Sequence, residues 1–261
     1  MTTVELKNVS RVYLGQSGPV YGLSGFDLRI GEGEFVCIVG PSGCGKTTLL
    51  NIVAGFEPPD LGDLLIDGEK ITGPGTNRFV MFQEHALFPW LNVSQNIMFG
   101  LKMAGIPRRE REERTATLLR TVNLSDFSTA WIHELSGGMK QRVALARALI
   151  MDPEILLMDE PFAALDSQTR DMLHEEVELV WQRTRKTILF VTHNVREAVR
   201  LGTRVILMKA KGGKILREYP IDLPRNRFLE DVEVVKIASQ IRDDLRNEVL
   251  RASKEEGYHV D

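Results

Sequence analysis

The chain has 261 residues, 43% of them hydrophobic, which is enough to bury one large core or a core plus a subdomain. Its formal net charge of −3 lacks the positive footprint that neutralises nucleic-acid phosphates, so nucleic acid is not an expected partner. Cys37 and Cys44 are too few for a disulfide framework, no stretch reaches the ~18 consecutive apolar residues of a membrane span, and no basic leader precedes an apolar run at the start; a reducing cytoplasm is the expected setting.

The first predicted elements are strands. Val4, Leu6, Val9, Val12 and Tyr13, then Phe26, Leu28 and Ile30, alternate as antiparallel strands with one solvated face do. The continuous apolar run Phe35 to Val39 predicts a buried strand. It leads into Gly40-Pro41-Ser42-Gly43-Cys44-Gly45-Lys46-Thr47, a complete G-x-x-x-x-G-K-[ST] loop, and a helix is predicted from Thr48 to Ala54. Strand, glycine loop and helix in that order predict a nucleoside triphosphate site. Glycines let successive N–H groups cup phosphates, and the helix N-terminus adds partial positive charge. Lys46 is expected to reach the β- and γ-phosphates, and Thr47 to offer Mg²⁺ a hard oxygen. The plain alternative, a glycine-rich turn with an accidental lysine, does not account for the flanking strand and helix. Cys44, at a helix N-terminus, is either a thiol of lowered pKa or a small residue the loop tolerates; the second is expected.

Farther along, Arg78 to Phe82 ends at Gln83, and from about Leu91 to Leu149 the pattern turns helical. The run Arg108 to Arg114 mixes signs and holds a Glu110/Arg114 pair at i,i+4, as a solvated helix face does. At Leu135-Ser136-Gly137-Gly138-Met139 a serine and two glycines precede a helix, making a second N-terminus suited to an anion; a plain helix cap is the alternative. One triphosphate does not need two cradles from one chain, and spacing leaves open whether the second serves its own chain or a neighbour. The strand Ile155 to Met158 delivers Asp159 and Glu160, two carboxylates that need a cation, donors or water when they leave an apolar strand. Asp159 is the candidate for the Mg²⁺ shell and Glu160 for orienting or deprotonating water, with helix capping as the alternative. The strand Ile188 to Val191 delivers Thr192 and His193. That imidazole suits a γ-phosphate oxygen, although a lone histidine is more often structural, and a lone glutamine such as Gln83 is usually solvated. Ligands of open α/β sheets sit beyond the carboxyl ends of strands, so the three strand ends are expected to converge. Val234, Ile237, Ile241, Leu245 and Val249 predict a packed amphipathic helix. The expected fold is α/β, a mostly parallel sheet core with an N-terminal antiparallel β flank and an inserted helical subdomain. Residues 1–87 and 154–224 are expected to form the core, 88–153 the helical subdomain and 225–261 a helical tail.

Over nearly its whole length the chain resembles the ATP-binding cassette ATPases, P-loop NTPases of RecA-like fold. Gly40 to Thr47 look like the Walker A loop, Gln83 the Q-loop, Leu135 to Met139 the signature and Ile155 to Glu160 the Walker B strand. Ala164-Leu165-Asp166 look like the D-loop, His193 the switch histidine and Tyr13 the aromatic that stacks on adenine, worth about 1–3 kcal/mol by analogy with base–aromatic pairs. The resemblance implies ATP held by Tyr13, Gly40, Pro41, Ser42, Gly43, Cys44, Gly45, Lys46, Thr47, Thr48, Ser136, Gly137, Gly138 and Asp166. It implies Mg²⁺ held by Thr47, Gln83 and Asp159, with hydrolysis served by Glu160, His193, Gln83 and Lys46. It further implies a head-to-tail homodimer that closes Walker A of one copy on Ser136 to Gly138 of the other. Such a dimer drives separate integral membrane subunits from the cytoplasmic face of the plasma membrane, fed by a solute-binding protein. Phe88-Pro89-Trp90-Leu91 lie where the family docks a coupling helix of the membrane partner, with packing of the helical insert as the alternative. Together with the short tail, that stretch looks most like the cassettes of nitrate, sulfonate and taurine importers. The rival class is a cassette ATPase of a non-transport machine in DNA repair or translation. Asn194 stands where such cassettes usually carry Asp, and Gly202-Thr203 replace a more usual Ala-Asp.

Overall fold

The chain opens with two long strands, β1 (Val4–Gly15) and β2 (Gly18–Ile30), followed by β3 (Phe35–Val39), α1 (Lys46–Ala54), β4 (Leu61–Ile66) and β5 (Glu69–Lys70). β1 pairs antiparallel with β2 on one edge and with β4 on the other. The alternation explains why: Val4, Leu6, Val9, Phe26, Leu28 and Ile30 are buried, while residues between them face outward. The structure is a computed structural model that describes residues 2–15, 18–82, 86–163 and 165–255.

These elements belong to one of two compact units, Met1–Gly75 together with Arg185–Asp261; the other unit is Thr76–Thr184. The second unit holds β6 (Arg78–Met81), α2 (Val93–Met103), α3 (Arg108–Thr121), α4 (Gly137–Leu149), β7 (Ile155–Asp159) and α5 (Ser167–Thr184). β6 and β7 are parallel, with Met81 opposite Met158. α2, α3 and α4 share a core that includes Val93, Ile97, Leu119, Val143 and Ile150. α3 buries only Thr115 and Leu119, and its charged run lies in solvent as i,i+4 pairs, Arg108–Glu112 at 2.7 Å, Arg109–Glu113 at 2.9 Å and Arg114–Glu110. Exposed pairs of this kind add solubility and little stability.

The chain returns to the first unit with β8 (Thr187–Val191), α6 (Val195–Leu201), β9 (Arg204–Met208), β10 (Ile215–Pro220) and α7 (Val232–Glu255). β3 lies between β8 and β9, parallel to both, and β10 adds antiparallel to β9. β3 and β8 are buried at every residue, as strands covered on both faces must be. The α/β class, the antiparallel flank and the helical insert are therefore present as expected. β4, β5, β9 and β10 are additional to the strands expected from periodicity.

α7 departs from its predicted face. Val234, Ala238 and Ile241 are buried, but Val249 is 39% exposed and Glu248 takes the inward position, where its carboxylate accepts the Ala210 N–H at 3.2 Å. The lead-in to α7 is pinned by Arg227. Its buried guanidinium donates to the carbonyls of Val199 at 2.8 Å, Gly202 at 2.9 Å and Leu223 at 2.7 Å, which satisfies the C-terminal end of α6.

Candidate nucleotide site

β3 carries the chain to Gly40 at the carboxyl end of the sheet, and the loop closes onto α1 through Gly45. There φ is +104°, and an added Cβ would lie 2.0 Å from the Gly22 carbonyl oxygen, so neither the conformation nor the space admits a side chain. Gly45 also gives α1 no side-chain cap, and no acid lies in the first turn. The positive end of the helix thus faces no carboxylate of its own turn. Lys46, 9% exposed, donates from Nζ to the carbonyls of Gly40 and Pro41, each at 2.9 Å. The loop curls around its own ammonium. A cation, the neighbouring hydroxyls of Thr47 and Thr48, and a helix N-terminus fit the charge and donor demand of a polyphosphate. Cys44 is buried, and burial, the largest cause, pushes its thiol up from the ordinary value even with Lys46 nearby. It is a small space-filler in the loop and not a reactive thiolate.

Pairing of β3 with β8 sets Ile38 beside Val191, and the Thr192 N–H continues the ladder to the Ile38 carbonyl at 3.1 Å. His193, exposed, leaves the same sheet end. Thr192 is locked by its hydroxyl, which donates to the buried Glu197 carboxylate and accepts the Asn194 N–H at 3.0 Å. Tyr13, from β1, comes within 3.3 Å of the Thr48 hydroxyl and donates to Glu57 Oε2 at 2.5 Å. Its phenol is raised above the ordinary value, first by burial and then by Glu57. Tyr13, Lys46, Thr47, Thr48 and His193 therefore share the first unit, with Tyr13 touching the helix that begins at the glycine loop.

In the second unit β7 delivers Asp159 and Glu160, both half-buried. Glu160 has φ +44°, the left-handed region, and its carbonyl accepts the Ala163 N–H at 3.2 Å. A non-glycine residue in such a conformation costs about 1–3 kcal/mol, and strain of this kind concentrates at functional positions. Asp166 caps α5, accepting the Thr169 N–H at 3.0 Å, and that hydrogen bond is the first cause holding its carboxyl below the ordinary range. Ser136 caps α4, its hydroxyl oxygen accepting the Met139 N–H at 3.3 Å, and it is exposed together with Gly137. At Gly138 an added Cβ would lie 2.3 Å from Thr169 Cγ2, so the glycine lets α4 start against the first turn of α5. Gln83 and Ala164 lie outside the described residues. Among the described residues no group of three or more His, Cys, Asp or Glu side chains gathers as a metal site. Mg²⁺ held by one or two protein ligands, with nucleotide oxygens completing its shell, needs no such group, so this donor set fits that ion.

The profile of the family described as ABC transporter matches residues 23–163, more than half of the chain. The chain belongs to the ABC transporter family. It is an ATP-binding cassette, a member of a family of ATPases. The cassette is 48% identical over 221 residues to the nitrate import ATP-binding protein NrtD of Synechocystis, covering 85% of this chain and 83% of that one. It is 45% identical over 232 residues to the taurine import ATP-binding protein TauB of Rhizobium johnstonii, covering 88% of each. Among solved structures it superposes with a TM-score of 0.75 on the dimeric post-hydrolysis state of the cassette MJ0796 bound to ADP and phosphate, at 34% identity and covering 85% of this chain and all of that one.

The cassette's departures from the usual family residues are structural accommodations. Asn194 caps α6, accepting the N–H groups of Arg196 at 3.1 Å and Glu197 at 3.3 Å, and asparagine caps as well as aspartate. Thr203 donates its hydroxyl to the Phe35 carbonyl and accepts the Phe35 N–H, both at 3.1 Å, which ties β3 to the start of β9. The aromatic segment after Gln83 is held from within. Asn96, fully buried, accepts the Phe88 N–H at 2.8 Å and shares its two amide hydrogens among the carbonyls of Phe88, Leu91 and Asn92, each at 3.1 Å. Arg147 donates to the Ala86 carbonyl at 2.7 Å and covers the Phe88 ring at 5.5 Å, while Trp90 stays 68% exposed. Asn96, Glu57 and Asn51 carry no motif: Asn51 Nδ2 donates to Glu57 Oε1 at 2.8 Å, and each of the three contributes through a hydrogen bond that only the fold makes.

Proposed function

We propose that this cassette is the ATP-hydrolysing subunit of an importer and energises uptake of nitrate, a sulfonate, taurine or a related small solute through separate membrane subunits. The observation that carries the reading is the phosphate cradle at the start of α1, with Lys46 drawn into the glycine loop and Tyr13 set against Thr48. The nitrate and taurine import of NrtD and TauB supports the cargo class, and the dimeric form of MJ0796 supports a homodimer, which this reading arranges head to tail. Residues 40–48 hold the polyphosphate in this reading, and Tyr13 presents its ring to the base. Ser136, Gly137, Gly138 and Asp166 face the nucleotide held by the other copy. Thr47, Gln83 and Asp159 hold Mg²⁺, which neutralises phosphate charge when bound. Glu160 orients or deprotonates the attacking water, and His193 holds it toward the γ-phosphate.

Residues 88–153 form the lever that transmits closure, with the Phe88 to Leu91 segment as the docking point. Trp90 packs against the Phe88 ring with centroids 5.6 Å apart and is 68% exposed, a combination that suits a partner surface. Among the described residues no helix is long and apolar enough to cross a membrane. In this reading transport runs through separate membrane subunits, with the cassette peripheral on the cytoplasmic face. A solute-binding protein delivers the cargo. The test is the assembled complex in vesicles: phosphate release is expected to rise with one of the named solute classes and its binding protein. Release indifferent to every such solute, in a complex that still binds ATP, rejects the importer assignment.

A further inference from the structure

We propose that Glu57 is a positioning residue for nucleotide binding, fixing the Tyr13 ring as the base platform and joining that platform to the helix that carries the phosphate cradle. The inference rests on the reading of Tyr13 as the base-facing aromatic. Glu57 follows α1 and is bound on both carboxylate oxygens: Oε2 accepts the Tyr13 hydroxyl at 2.5 Å and Oε1 accepts Asn51 Nδ2 at 2.8 Å. Asn51 lies on α1, five residues beyond Lys46, and its carbonyl accepts the Phe56 N–H at 2.9 Å, which folds the segment bearing Glu57 back against the helix. The platform and the phosphate loop are thereby attached to one rigid element.

The surrounding charges complete the device. Arg11 Nε lies 3.5 Å from Glu57, and the Arg11 guanidinium covers the Tyr13 ring at 5.3 Å. Arg11 is itself held by Asp60 at 2.8 Å, and Asp60 also accepts the Val12 N–H at 2.7 Å, so the strand leading into Tyr13 is anchored. One ring face is taken by a cation, and in this proposal the base stacks on the other. With its hydroxyl committed to Glu57, Tyr13 reads the base by stacking alone, so the platform is rigid but tolerant of base identity.

The experiment measures affinity of the purified chain for ATP and for inorganic tripolyphosphate, each with Mg²⁺, in Glu57→Gln, Tyr13→Phe, their combination and Tyr13→Ala. Glutamine keeps one acceptor oxygen for two donors, and phenylalanine keeps the ring without its tether. Each single substitution is expected to weaken ATP about three- to tenfold, the range of one lost hydrogen bond, and to leave tripolyphosphate unchanged. The combined variant is expected to be no weaker than the weaker single, because both break one contact. If Tyr13→Ala weakens ATP while Glu57→Gln and Tyr13→Phe do not, the positioning role is overturned and the platform reading stands. Equal weakening of ATP and tripolyphosphate by Glu57→Gln also overturns it, since the effect then lies in the loop. If Tyr13→Ala leaves ATP affinity intact, the platform reading fails and the inference falls with it.

Discussion

Glu160 and Glu57 are both carboxylates beside the end of a regular element, yet their surroundings give them different work. Glu160 sits at φ +44° just past the buried strand β7. As the residue proposed to polarise water, Glu160→Gln is expected to lower turnover about 10²- to 10⁴-fold, the range of general base catalysis, while ATP binding persists. Phosphate release and nucleotide retention measured on the same sample check it. Glu57 is saturated with donors, and the Tyr13 hydroxyl, the first cause, holds its carboxyl below the ordinary 4.5. A depressed folded-state pKa means that its contribution to stability is fully present above 4.5 and is lost as pH falls through the folded value. The stability gap between the parent chain and Glu57→Gln is therefore expected to be widest near neutral pH and to narrow below about pH 4.5, which urea midpoints across pH report. A gap that stays constant with pH removes the ionic part of this account.

Elements here are fixed by buried side chains that hold backbone. Asn96 on α2 is the clearest case: its fully buried amide accepts the Phe88 N–H and shares its two N–H hydrogens among the carbonyls of Phe88, Leu91 and Asn92. Asn96→Leu takes the partner from the Phe88 N–H and the Leu91 carbonyl, while the Phe88 and Asn92 carbonyls keep the N–H groups of Leu91 and Asn96, with an expected cost of about 1–3 kcal/mol in unfolding free energy. Calorimetric melting compared with Trp90→Ser, which removes an exposed side chain and is expected to leave stability within about 0.5 kcal/mol, separates holding the segment from displaying it. Arg227 does the same for the turn after α6, and Asn194 for its start. The motifs lie on these braced termini because a loop that must meet a ligand cannot also supply its own rigidity.

For the whole molecule, the presence of two helix N-termini suited to phosphate, at Lys46 and at Ser136, is accounted for by the proposed exchange between copies. Lys46→Ala and Ser136→Arg chains are each expected to be inactive alone. Mixed with each other, they are expected to regain activity at one of two composite sites, because one mixed interface carries both intact cradles. Phosphate release from the mixture, against equal amounts of each variant alone, checks this. No recovery under conditions where the two copies associate rejects use of Ser136 in trans.

Local order along the chain made much of this cassette readable. The glycine loop, its flanking strand and helix, and the Asp159-Glu160 strand end are short-range patterns, because phosphate binding needs backbone N–H groups and a cation within a few residues. Buried parallel strands announce themselves in the same way, as unbroken apolar runs. Other features depend on residues far apart in sequence. Tyr13 and Glu57 are separated by two strands, the glycine loop and a helix; Thr169, 31 positions on, packs its methyl where a side chain at Gly138 would begin; and α7 turns Glu248 inward, where it accepts the Ala210 N–H. The sequence by itself determined the chemistry and the family of this protein. The tertiary structure alone decided which side chains hold that chemistry in place, since hydrogen bonds across long loops follow from packing and leave no periodic trace in the sequence.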